Sequence, residues 1–136
     1  MPHFSRESLE QAMLAADVRY VWLQALGGYR KKLHDDSPNV ALRNQNFRNY
    51  ADHMMTAEFK QGVDELLRFA AESRTAYMCA ERVWFHCHRM LVSDYLVAHG
   101  HTVLHIDDIG PARPHKLTSE ARLVDGQLIY RGDRLF

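Results

Sequence analysis

The chain has 136 residues, 46% of them hydrophobic and 25% charged, with 7 Gly and 4 Pro. That composition excludes a disordered tail, a collagen-like chain and a low-complexity linker, and the length suits one domain, spanning 1–136, with a single core. Lys+Arg 17 and Asp+Glu 17 cancel, so no global field draws the protein to nucleic acid or to an anionic membrane, and a charged ligand needs a local patch.

A helix is predicted from about Ser5 to Ala16. Ser5 can cap it, Glu7 suits its first turn, and Leu9, Ala12, Met13 and Ala16 recur at helical spacing. Val18 to Leu23 reads as a strand, rich in β-branched and aromatic residues. Gln24 to Asn46 has little periodicity and opens on Gly27-Gly28, read as a tight turn because no Gly-Lys-Ser/Thr follows. Arg30, Lys31, Lys32, Arg43 and then Arg48 make this stretch basic at its front and back. A loop of that length is uncommon in a compact domain and is often functional.

Phe47, Tyr50, Ala51 and Met54 mark a short helix. Thr56 caps a longer one with Phe59, Val63, Leu66, Leu67 and Ala70 on one face. Thr75 to Cys79 reads as a buried strand, Cys87 to Ala98 as a largely buried helix closed by Gly100, and Thr102 to Ile106 as the next strand. Strands alternating with helices predict an α/β layered domain, with a small, mainly parallel sheet flanked by helices. Residues 109–136 form a C-terminal arm, or a hairpin about Asp125-Gly126.

The chemistry concentrates between Cys79 and Arg89, where a predicted strand end meets a helix start. Ligands bind at such junctions in open α/β sheets, and the helix N-terminus favours an anion. Arg89 offers a fork for carboxylate or phosphate. Helix dipole and Arg89 together favour the thiolate of Cys87. Cys79 serves as resolving thiol or ligand, Glu81 and His88 as proton carriers, and His105, late in the last predicted strand, as a group on the same rim. The blander reading makes both cysteines small core residues. A metal site at Cys79, Cys87 and His88, holding Zn or Fe, is the weaker alternative, because the spacing is not Cys-x-x-Cys; no cofactor is otherwise expected.

Cys79-Ala80-Glu81 followed by Cys87-His88-Arg89 resembles the DUF488 family of uncharacterised bacterial and archaeal proteins. Leu26-Gly27-Gly28, Arg43-Asn44, Phe47-Arg48-x-Tyr50-Ala51-Asp52-x-Met54, His105-Ile106, Leu117-Thr118, Asp125-Gly126 and Tyr130 are similar to further blocks of that family. The resemblance implies an α/β fold and no agreed activity. It also implies that a first strand–helix–strand portion is missing ahead of Pro2-His3-Phe4-Ser5. The remaining sheet is then expected to have an uncovered edge through which two copies pair.

The reading that follows is a site for a small anionic ligand with thiol-dependent chemistry. Arg89 holds the anion, Arg30, Arg43 and Arg48 close over it, and Tyr50 and His105 are further ligand-binding residues. The alternative is a non-catalytic nucleotide or nucleic-acid binding module built on the same basic residues, with Tyr29, Phe47 or Tyr50 stacking on bases. Two cysteines, no signal-peptide pattern and no run near the ~20 apolar residues of a membrane span point to the cytoplasm and to no membrane partner.

Overall fold

The computed structural model describes residues 6–78, 87–106 and 110–131. Four α-helices carry most of the chain: α1 (Arg6–Ala15), α2 (Gln45–His53), α3 (Ala57–Glu72) and α4 (Arg89–Ala98). Four short strands follow: β1 (Leu104–His105), β2 (Arg113–Pro114), β3 (Ala121–Val124) and β4 (Gln127–Tyr130).

The helix ends follow local chemistry. Asn44 caps α2, its side chain accepting from the N–H groups of Asn46 at 2.8 Å and Phe47 at 3.2 Å; Thr56 caps α3 by accepting from Phe59 N–H at 3.2 Å. At the end of α1, Asp17 takes φ 60°, and bonds from Val18 N–H to Met13 and from Asp17 N–H to Leu14 close a Schellman motif without glycine.

The core lies between α2, α3, α4 and the C-terminal strands. Tyr50, Met54, Phe59, Val63, Leu91, Val92 and Leu96 meet Ala121, Leu128 and Tyr130. Phe59 stands edge-on to Tyr50 and Tyr95, with ring centroids 6.0 and 5.0 Å away, the geometry that aligns a ring edge with a neighbour's face. α3 lies close on the 3-10 turn Gln24–Leu26, because a Cβ at Gly62 would stand only 3.0 Å from Ala25 and Leu26. α1 buries no residue.

The predicted mainly parallel sheet is not seen among the described residues. Both sheets among the described residues are antiparallel and two-stranded, β1 with β2 and β3 with β4. Residues 18–23 form no strand, and Val18, Val21 and Trp22 are half exposed. Residues 75–78 form none either, and Tyr77 uses its hydroxyl on Ser93, 2.7 Å away, in place of a backbone ladder. Only Leu104 and His105 of the third predicted strand pair, with a segment that returns antiparallel. Aromatic and β-branched residues report a surface fit for packing, and a sheet needs neighbouring strands as well. Here the Trp22 ring takes the Arg6 guanidinium of α1 at 4.7 Å, and the Tyr77 hydroxyl meets Ser93 of α4.

The C-terminal hairpin is present. Asp125 (φ 51°) and Gly126 (φ 79°) both lie in the left-handed region, as a two-residue turn between right-twisted strands requires. The long loop before α2 is held by polar bonds. Asn39, fully buried, donates to Asp52 at 2.8 Å and accepts from Tyr130 N–H at 3.0 Å, while Ser37 donates to the same Asp52 oxygen at 2.6 Å. Ala41 N–H donates to the Tyr130 carbonyl at 2.8 Å. The loop thus ties α2 to β4.

Candidate functional site

Cys87, His88 and Arg89 form the turn that opens α4, with His88 at the N-cap. Cys87 is buried, and its sulfur accepts from two donors of Arg89: the backbone N–H at 3.3 Å and Nε at 3.2 Å. The guanidinium therefore lies against the sulfur. The first turn of α4 carries no acidic side chain and His88 makes no side-chain cap bond; the Cys87 sulfur, on the Arg89 N–H, stands at the positive helix end.

The His88 ring is held between Gly28 and Tyr50. A Cβ on Gly28 would stand 2.5 Å from His88 Nδ1, so only glycine admits the ring there. The Tyr50 ring centroid is 5.2 Å from that of His88. Burial, then the charges of Arg89 and Arg30, push the His88 pKa below its ordinary value, so the imidazole is neutral near pH 7 and able to accept a proton. Tyr50 is fully buried and donates to the Leu26 carbonyl at 2.8 Å. Burial holds its phenol protonated; Arg30 opposes this, and the charges of Cys87 and Tyr77 add to it. Tyr77 in turn feels Arg89 and Asp94 after the larger effects of burial and its Ser93 bond. Cys87, His88, Arg89, Tyr50, Tyr77 and Arg30 are thus one electrostatic group.

The structure distributes the other expected residues differently. Arg30 donates to the carbonyls of Gln24 (2.7 Å) and Gly27 (3.2 Å) and approaches Glu58 at 3.5 Å. It braces the turn beneath His88. Arg48 donates twice to the Leu42 carbonyl, at 3.0 and 2.7 Å, and Arg43 is exposed just before α2. Cys79 and Glu81 lie outside the described residues. Of the set weighed for a metal, Cys87 and His88 are described, and no group of three His, Cys, Asp or Glu side chains suited to a metal ion occurs among the described residues. No helix among them is long and apolar enough to cross a membrane.

His105 belongs to another array. Its Nε2 lies 2.7 Å from His115 Nδ1, and His115 Nε2 lies 2.7 Å from Asp94 Oδ1. Asp94 is fully buried; it also accepts from Tyr130 OH at 2.7 Å and from Thr118 N–H at 3.0 Å. Sequence reading passed over Asp94 and His115, which stand 21 positions apart with no motif between them. It also read Gly28 as a turn residue, although the Leu-Gly-Gly block it belongs to was visible.

The family model described as "Domain of unknown function DUF488" matches residues 1–96. The chain belongs to the DUF488 family. The match takes in α1 to α3, the Cys87–Arg89 turn and most of α4, and so covers the thiol site. No curated protein and no solved structure matches this chain.

Proposed function

We propose that this DUF488 protein binds a small phosphate- or carboxylate-bearing ligand at the Cys87–Arg89 turn and uses Cys87 as a reactive thiolate. The observation that carries the reading is the double contact of Arg89 with the sulfur, through N–H at 3.3 Å and Nε at 3.2 Å. A cation and a backbone dipole aimed at one sulfur stabilise its anion over its thiol. The start of α4, with no acidic side chain in its first turn, supplies further positive potential for the ligand's charge.

Roles follow from geometry. Arg89 orients the ligand anion beside the sulfur. His88, neutral and fixed by Gly28 and Tyr50, accepts or returns a proton. Arg30 keeps the Gly27-Gly28 turn in place through its two carbonyl bonds. Cys79 and Glu81 retain the parts of resolving thiol and orienting carboxylate as proposals from sequence.

The test is the pH dependence of Cys87 alkylation by iodoacetamide, read by mass spectrometry so that Cys79 is scored apart. The thiolate fraction at Cys87 is expected to persist well below the ~8.5 midpoint of an ordinary thiol, and Arg89→Met to move the midpoint upward. A wild-type midpoint at or above that value ends the reading.

A further inference from the structure

We infer that the cleft between α1 and the segment that follows it binds a small zwitterion of the amino-acid or dipeptide class, at a site separate from the Cys87–Arg89 turn. The cleft has a volume of about 450 Å³. Small-molecule sites run to roughly 300–1,000 Å³. Among the described residues its lining includes Arg6, Glu7 and Glu10 of α1 and Arg19, Tyr20 and Trp22 of the segment.

Aromatic rings hold both arginines. The Arg6 guanidinium lies over the Trp22 ring, 4.7 Å from its centroid, and the Arg19 guanidinium lies over Phe69 of α3 at 4.9 Å. Stacking engages the flat face of a guanidinium and leaves its N–H edge for an acceptor. A fork placed in this way has lost part of its freedom before a ligand arrives, so less is lost on binding.

The acidic side of the cleft follows from the same contact. Arg6 and Glu10 stand at i and i+4 on α1, a spacing that commonly closes an ion pair. Here the Arg6 guanidinium is on Trp22, and the pair stays open. Among the described residues, Arg6, Glu7, Glu10 and Arg19 form no ion pair with one another or with any other residue. The cleft therefore presents two guanidinium edges and two carboxylates. A ligand of one charge leaves the other sign unmatched, and a zwitterion answers both. Its carboxylate accepts from the guanidinium N–H groups, and its ammonium donates to the glutamates. Trp22, half exposed, and Tyr20 offer ring surface to an apolar side chain between the two charges.

The probe is L-leucyl-L-leucine, titrated into the full chain by calorimetry beside its N-acetyl and C-terminal amide derivatives, each of which lacks one charge. The dipeptide should bind, and each blocked form should bind about tenfold more weakly or worse. Arg19→Gln should remove the dipeptide's advantage over the amide and keep its advantage over the acetyl form. Glu10→Gln should do the reverse. Both side chains are exposed, so neither change touches the core, and circular dichroism confirms that each variant is folded. A dipeptide that does not bind, or that binds no better than its blocked forms, overturns the inference. So does dipeptide binding that survives Arg19→Gln and Glu10→Gln together.

Discussion

The contact between Gly28 and His88 decides how the candidate site is held. With 2.5 Å between a notional Cβ and His88 Nδ1, Gly28→Ala must push the ring out of its place. Gly28 does not have a positive φ, so the backbone itself tolerates alanine. The expected result is a folded protein in which the His88 pKa rises toward the ordinary value, ~6.5, because the ring leaves the burial and the two arginine charges that now depress it. Histidine ring NMR as a function of pH reads this directly. An unchanged His88 titration in the variant would show that glycine is not what fixes the ring. At the same scale, the Arg89 guanidinium lies against the Cys87 sulfur and His105 pairs with His115; neither contact follows from spacing in the chain alone, because an element's direction in space is not local.

The helices were legible and the sheet was not. Ser5 to Ala16 was read against an observed Arg6–Ala15, Cys87 to Ala98 against Arg89–Ala98, and Thr56 was identified as the cap of α3. Helices declare themselves through local periodicity and capping, and so does the hairpin through Asp125-Gly126. Strand pairing is non-local, and residues 18–23 and 75–78 have strand composition without strand neighbours. The loop before α2 depends on contacts of the same non-local kind, with Asn39 bonding to both Asp52 and Tyr130. Asn39→Ala should destabilise the protein by about 2 kcal/mol or more, because a buried carboxylate and a buried N–H each lose a partner. Urea unfolding checks it, and a loss within ±0.5 kcal/mol would mean that the loop does not bind α2 to β4.

For the whole molecule, one core joins helices and hairpin, so a core truncation should be felt throughout. Phe59 is fully buried against Tyr50, His53 and Tyr95. Phe59→Ala should cost about 3–5 kcal/mol, and urea transitions followed by circular dichroism and by Trp fluorescence should still coincide. Separate transitions would show that the aromatic cluster is local.

Acid should act on this core as well. Burial is the leading cause that lowers the pKa of both His53 and His88 in the folded state. Below ~6.5 the unfolded chain takes up protons that the folded chain refuses. The contribution of these residues is therefore complete above that pH and lost as pH falls beneath it. The urea midpoint should drop between pH 7.5 and 5, and His53→Gln with His88→Gln should flatten the slope. A midpoint that rises on acidification contradicts the sign.

The central claim is that Arg89 makes Cys87 both anionic and receptive to anions. It is tested most directly by comparing how fast Cys87 is alkylated by iodoacetate, which carries a carboxylate, and by neutral iodoacetamide. A simple thiolate repels the charged reagent and prefers the amide. The account predicts that wild-type Cys87 reacts faster with iodoacetate, and that Arg89→Met reverses the order. If wild-type Cys87 prefers iodoacetamide, and Arg89→Met leaves the ratio unchanged, the guanidinium is a structural strut and the turn is not an anion site.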